Sequence, residues 1–248
     1  MIFTDRECPL ATYAIGDIHG RSDLVAQLLQ QIEVTPDDHV IFLGDYIDRG
    51  MDSKGVVDRL LEFEATSAAQ VSFVMGNHEQ WMLRSFDDHT RHSWYVAMNG
   101  YATVRSYSRK AAAVIDEALD VAGESIFDGV ALPYDALVDA MPAEHLAFFR
   151  RLKPYVRTDD VVGVHAGVSA DCMRVEEEDR DFLLWGREDW WDEYSGPDRI
   201  VYGHWGNALV HRGAVRPYVV GRTYGIDCAA AGALMALRFP DLAATSVQ

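Results

Sequence analysis

Cysteine is scarce in this 248-residue chain: Cys8, Cys172 and Cys228 are the whole complement, and no two stand in a C-x-x-C spacing. An odd number so dispersed implies neither a disulfide framework nor a thiolate zinc site, so the three read as reduced thiols. Basic residues are also few, with 22 Lys and Arg against 39 Asp and Glu, a formal charge of −17 and a pI near 4.8. That balance excludes long-range attraction to nucleic acid or to an anionic membrane, either of which needs a basic face. Long apolar runs are missing too. The most apolar stretch, Ala229 to Leu237, falls far short of a membrane span. The N-terminus carries Asp5, Arg6 and Glu7 and lacks the basic start and continuous apolar segment of a secretory signal, so the expected compartment is the cytoplasm.

What remains is an ordinary globular composition, 49% apolar and 25% charged, in a length that one α/β domain accommodates. A single domain over residues 1–248 is expected. The first third alternates short β-branched runs with helix-period segments, a βαβαβ pattern that implies a parallel sheet. Thr12 to Ile15, Val40 to Leu43 and Val71 to Met75 read as strands. Leu24, Val25, Leu28, Leu29 and Ile32 mark one amphipathic helix, and Ser53 is the expected N-cap of a second that buries Val57, Leu60 and Leu61. Residues 84–154 have helical periodicity and no Gly-rich motif, and read as a helical insertion, with Pro142 in the first turn of a helix carrying Leu146, Phe149 and Leu152. From Tyr155 the pattern returns to strands: Val161 to Val164, Ile200 to Tyr202, Leu234 to Phe239, and a hairpin of Tyr218 to Val220 with Thr223 to Ile226 about Gly221 and Arg222.

Five short motifs follow predicted strands in order. They are Gly16-Asp17-Ile18-His19-Gly20, Gly44-Asp45-Tyr46-Ile47-Asp48-Arg49-Gly50, Gly76-Asn77-His78-Glu79, His165-Ala166-Gly167 and Gly203-His204. Carboxylate and amide oxygens mixed with imidazole nitrogens, with no sulfur, are the donors of a hard-to-borderline metal site. The adjacent glycines let the backbone turn sharply at a strand end, and α/β sheets place ligands at the carboxyl ends of their strands.

In these motifs the chain resembles the calcineurin-like metallophosphoesterases, and within them the phosphoprotein phosphatase branch of small bacterial and phage enzymes. The resemblance spans Tyr13 to about Phe239. It implies a four-layer αββα fold, a β-sandwich flanked by helices, with two divalent metals at one edge. By position, Asp17 and His19 would hold the first metal, Asp45 would bridge both, and Asn77, His165 and His204 would hold the second. Mn²⁺ is the expected ion, and the same O/N donors also take Fe, Zn or Mg. Two such ions can clamp phosphate oxygens and supply a hydroxide at neutral pH for in-line attack. His78 would protonate the leaving oxygen, with Asp48 accepting its other ring proton; Arg49 and Arg187, in Leu184-Trp185-Gly186-Arg187, would bind phosphate.

The expected activity is therefore phosphate release from a phosphoprotein, a phosphopeptide or a small phosphomonoester. Met75 stands where that branch commonly has Arg, and Trp205 where it commonly has Thr. Both resemble the symmetrical diadenosine tetraphosphatases, which makes dinucleoside polyphosphate hydrolysis the alternative. A non-catalytic scaffold binding phosphorylated partners is a third reading, at odds with the filled ligand positions. Two further features are read from the residues: Trp185, Trp190 and Trp191 either stack a base or fill a core, and the acidic run Glu176 to Asp179 reads as a solvated loop.

Overall fold

In the computed structural model, residues 11–211 and 214–248 are described; Cys8 and the start from Asp5 to Glu7 lie outside them. Strands β1 (Thr12–Ile15), β2 (His39–Phe42) and β3 (Gln70–Phe73) alternate with helices α1 (Ser22–Gln31) and α2 (Ser53–Thr66). The three strands pair in parallel, Thr12 opposite His39 and His39 opposite Gln70. Next come α3 (Asn77–Asp87), α4 (Ser93–Ala97), α5 (Gly100–Tyr107), α6 (Arg109–Ala122), α7 (Asp135–Val138) and α8 (Ala143–Arg150).

The remainder supplies β4 (Tyr155–Arg157), β5 (Val162–Val164), α9 (Arg180–Trp185), α10 (Trp190–Glu193), β6 (Ile200–Tyr202), β7 (Leu209–His211), β8 (Ala214–Arg216), β9 (Tyr218–Val220), β10 (Thr223–Gly225), β11 (Leu234–Phe239) and β12 (Ala243–Val247). One sheet runs β12-β11-β1-β2-β3, the other β4-β5-β6-β10-β9, and β7 with β8 forms a separate ribbon. The expected β9–β10 hairpin forms, pairing Thr223 with Val220.

The period-2 alternation of side chains explains the layering. In β1 and β2, Ala14 and Ile41 face the second sheet and pack with Val201, Tyr224 and Leu237, whereas Ile15 and Phe42 face outward onto Leu24, Val57 and Leu60 of the helices. In β5 and β6, Val162, Val164, Ile200 and Tyr202 face the opposite way, onto Leu183, Trp190 and Trp191. Both sheets are thus buried on two faces, which is why their central strands read as continuous apolar runs. Each fully buried large aliphatic side chain contributes about 1.5–3 kcal/mol. The result is helices, sheet, sheet, helices, as expected of an α/β sandwich.

Several boundaries differ from the sequence reading. Asp52, not Ser53, caps α2, accepting from the Gly55 N–H at 3.0 Å. Ser53 is buried and serves a polar network instead. Pro142 sits at the N-cap of α8 rather than inside its first turn. The strands β7 and β8, three residues each, are too short to stand out from loop sequence, and β12, Ala-Ala-Thr-Ser-Val, is small and polar without an apolar alternation. Among the described residues no helix is long and apolar enough to cross a membrane.

Candidate metal centre

Each motif begins within three residues of a strand's end, and the strand order brings all five to one edge of the sandwich. Asp45 is at the centre. Its Oδ2 lies 3.5 Å from His19 Nε2 and 3.8 Å from His78 Nε2, and its Oδ1 lies 3.3 Å from His165 Nε2. Asn77 Oδ1 is 3.0 Å from His165 Nε2 and 3.2 Å from His204 Nδ1. Two groups of donor atoms result, His19 with Asp45 and His78, and Asp45 with His165 and His204, each with its atoms within 4.8 Å of one another.

Local backbone conformation makes this convergence possible. Among the described residues eight non-glycines have positive φ, and five of them are His19, Asp45, Asp48, Arg49 and His204. Left-handed geometry costs a residue with a side chain about 1–3 kcal/mol, and it persists where surrounding contacts enforce it, commonly at functional sites. Glycine is obligatory beside them. A Cβ on Gly203 would lie 2.0 Å from Asp17 Oδ1, and one on Gly44, whose φ is +105°, would lie 2.6 Å from the Gly76 nitrogen.

The donor chemistry fits a divalent cation. His19 Nδ1 is 3.0 Å from the Ile47 carbonyl and His165 Nδ1 is 2.9 Å from that of Leu43, so each carries its proton there and turns an unprotonated Nε2 inward. Burial lowers the pKa of His19 and of His204 to about 3, keeping both rings neutral, as ligands must be. Among protein groups alone, His19 Nε2 is a buried atom with no partner. Asn77 presents its oxygen to two ring nitrogens, where without a cation the amide would turn and donate its N–H groups instead. A divalent cation at each of the two donor groups would account for both.

Asp17 is buried, and its two oxygens accept from the His204 N–H at 3.2 and 3.0 Å. Burial, and then the neighbouring Asp227 and Asp45, raise its pKa well above the usual carboxylate value. Asp227 escaped the sequence reading. It is 3% exposed and accepts from the N–H groups of Gly206 at 2.6 Å and Ala229 at 2.9 Å, tying the chain after His204 to the chain after β10. A signal existed: Ile226-Asp227 places an acid at a strand end, as Ile15-Gly16-Asp17 does.

His78 Nδ1 and Asp48 Oδ2 are 2.6 Å apart, and both side chains are buried. Trp94 Nε1 donates to the same Asp48 oxygen at 2.9 Å, and the Thr103 hydroxyl donates to Oδ1 at 2.5 Å. Burial opposes protonation of His78, but Asp45 and Asp48 outweigh it and raise its pKa. Trp94 and Thr103 lie in helices without any diagnostic motif, and nothing local marks them. Glu79 does more than cap a helix. Its carboxylate accepts from the Gly76 N–H and also from those of Asp45, Tyr46 and Ile47, binding the second motif to the third.

Arg49 lines a cavity with His19, and its charge acts on Asp17, His19 and His204. Arg187 is placed otherwise: its half-exposed guanidinium is held by Glu193 and not by any residue of the cluster. Trp190 and Trp191 are core, 0% and 6% exposed, whereas half-buried Trp185 packs 5.0 Å from Trp81 and 6.3 Å from the His204 ring. The acidic run is structural. Glu176 pairs with Arg157, Glu177 with Arg174, Glu178 accepts from Ser169, and Asp179 caps α9. Cys172 and Cys228 are unpaired and buried, and burial pushes their thiols up to about 11 and about 12.

The chain is similar over 78 residues, at 41% identity, to the symmetrical bis(5'-nucleosyl)-tetraphosphatases of Salmonella typhimurium and Salmonella typhi. That match takes in 31% of this chain and 26% of the relative, so the chain spans about a quarter of the length of the curated relatives it matches. Among solved structures, a proposed diadenosine tetraphosphatase superposes with a TM-score of 0.63 at 19% identity, over 97% of this chain and 94% of that one. A serine/threonine phosphatase of Saccharomyces cerevisiae gives 0.54 at 15% identity, over 92% and 72%. At such identities these likenesses show the fold. The family model described as calcineurin-like phosphoesterase matches residues 10–232, and the chain belongs to that family.

Proposed function

We propose that this chain is a cytoplasmic two-metal phosphatase acting on phosphomonoesters with poor leaving groups, phosphoserine and phosphothreonine peptides among them. The observation that carries this reading is the buried His78–Asp48 pair. An alkoxide leaves as an alcohol only if a proton reaches it, and an oriented imidazole supplying that proton is typically worth ~10²–10⁴-fold. A nucleoside diphosphate is a far better leaving group and gains less from it.

Asp17, His19, Asp45, Asn77, His165 and His204 would hold the two ions, Mn²⁺ by preference. Bound there, a pair of divalent ions polarises phosphoryl oxygens and lowers the pKa of water. Asp48, fixed by Trp94 and Thr103, keeps the His78 ring in one tautomer with Nε2 towards the cluster. Arg49 meets the phosphoryl oxygens, and Arg187 would join it on exchanging Glu193 for substrate. Trp94 and Thr103 give the helical segment, read as an insertion within a single domain, a part in the site.

A second reading, symmetrical hydrolysis of dinucleoside polyphosphates, is supported by the 41% match and by the absence of Arg187 from the cluster. Turnover of a phosphoserine peptide, an aryl phosphate and diadenosine tetraphosphate by Mn²⁺-loaded protein separates the two. Higher kcat/KM on the monoesters is expected. A dinucleotide value at least about tenfold above the best monoester, about 1.4 kcal/mol of transition-state preference, would install the second reading.

A further inference from the structure

Three of the proposed ligands are histidines, and two of them are aimed by a hydrogen bond from the ring nitrogen that faces away from the cluster. His19 Nδ1 is 3.0 Å from the Ile47 carbonyl and His165 Nδ1 is 2.9 Å from that of Leu43. Bonds of this kind fix the tautomer and the direction of a ligating imidazole. His204 is different. Its Nδ1 faces Asn77 Oδ1 and His165 Nε2, each at 3.2 Å, and among the described residues its Nε2 has no hydrogen-bond partner. What borders the His204 ring instead is aromatic: Trp205 at 4.8 Å and Trp185 at 6.3 Å between ring centres, both edge to face.

Trp205 is itself held. The parallel pairing of β5 with β6 continues past the strand ends as a bond from the Gly203 N–H to the His165 carbonyl at 2.8 Å. His204 then takes a φ of +68°, and the Trp205 N–H closes the turn onto the Gly203 carbonyl at 2.8 Å. The half-buried indole reaches back to the end of β5, where its Nε1 donates to the Ala166 carbonyl at 2.7 Å. Trp190 Nε1 donates to the same oxygen at 3.0 Å. Glycine makes the space: a Cβ on Gly186 would lie 3.1 Å from the Trp205 ring, and one on Gly167 would lie 2.4 Å from Trp190 Nε1. One side chain thus joins the carbonyl next to His165 to the ring of His204.

We infer that Trp205 is a positioning residue for the ion that His165 and His204 would hold, its indole replacing for His204 the hydrogen bond that aims the other two histidines. The inference rests on the two-metal reading of the cluster. An edge-to-face ring confines the imidazole without accepting a proton from it, and the N–H to Ala166 ties its position to that of His165. With its donor and its ring so engaged, Trp205 is not left to stack a base. The residue at which this chain departs from a common Thr acts on the metals and not on the choice of substrate.

The test is Mn²⁺ titration calorimetry on the wild type, Trp205→Leu, Trp205→Phe and His204→Ala, and on each Trp205 change combined with His204→Ala. Trp205→Leu should weaken one ion about tenfold, the lower end for an outer partner of a metal ligand, and leave the other unchanged. Trp205→Phe, which keeps a ring beside His204 and loses the N–H, should weaken the same ion less. In the His204→Ala background neither change should weaken binding further, because the ring they aim is gone. At saturating Mn²⁺ the Trp205→Leu protein should recover most of its turnover, with the ratio of p-nitrophenyl phosphate to diadenosine tetraphosphate efficiency as in the wild type. Equal weakening of both ions, or losses that add in the double variants, would make Trp205 a general structural support and overturn the inference. A ratio shifted about tenfold or more would make Trp205 a substrate contact and overturn it as well. Where Trp205→Leu fails to fold, Trp205→Phe and its double variant decide, and unchanged affinity for both ions overturns the inference. Wild-type protein that binds no Mn²⁺ would overturn the two-metal reading and the inference together, whereas two tight ions indifferent to Trp205 would overturn the inference alone.

Discussion

His78 and Asp48, both buried, stand 2.6 Å apart, and the carboxylate is clamped by Trp94 and Thr103 from helices far along the chain. An aspartate so held fixes the orientation of the imidazole and which ring nitrogen faces it. The ring edge left over is the one 3.8 Å from Asp45, where substrate and metals would meet.

Replacing His78 by Asn should therefore leave metal binding intact and slow an alkyl phosphate at least about tenfold more than an activated aryl phosphate. Asp48→Asn should show the same dependence more weakly, because the imidazole survives without its orientation. Steady-state kinetics on the two ester classes checks both, and equal losses would make the pair structural.

Asp45 touches both donor groups. Asp45→Asn should lower the metal content of the purified protein below two per chain and abolish turnover, since one carboxylate serves both ions. Elemental analysis reads the stoichiometry. Two tightly held ions with near-normal turnover would remove its bridging role.

Asp227 lies outside both donor groups, but its charge acts on Asp17 and it anchors the chain beyond His204. Outer partners of this kind are worth about 10–100-fold in metal affinity. Asp227→Asn should weaken the binding of at least one Mn²⁺ by about tenfold in titration calorimetry, while saturating metal restores most of the activity. Unchanged dissociation constants would make Asp227 a loop anchor only.

Chelation should destabilise the fold. Asp17, Asp45 and Asp227 are all buried, and burial, and then the charges of Asp227 and Asp45, raise the pKa of Asp17. Metal held at 100 times its dissociation constant contributes about 2.7 kcal/mol, a rise of several degrees, at about 2–4 °C per kcal/mol for a chain of this size. Thermal unfolding with EDTA and with added Mn²⁺ measures it; coincident curves would contradict a metal site at this cluster.

The residues that converge at the cluster were legible because their signal is local. A strand, a glycine and a donor in immediate succession put each side chain at a sheet edge, and five such successions in one α/β chain have one edge to share. The alternation that buries Ile15 outward and Ala14 inward is local as well, and with it came the layered fold. What the sequence could not carry were pairings between distant residues. Asp48 meets Trp94 across 46 positions and Thr103 across 55, and those helices contain no pattern that announces it. Nothing local announced that Glu193 would pair with Arg187, and Trp190 looked able to stack a base until the second sheet covered it. Local pattern records the period of burial and the places where the chain can turn. Which charge finds which partner depends on distances of a few ångströms between remote segments, and packing alone sets those.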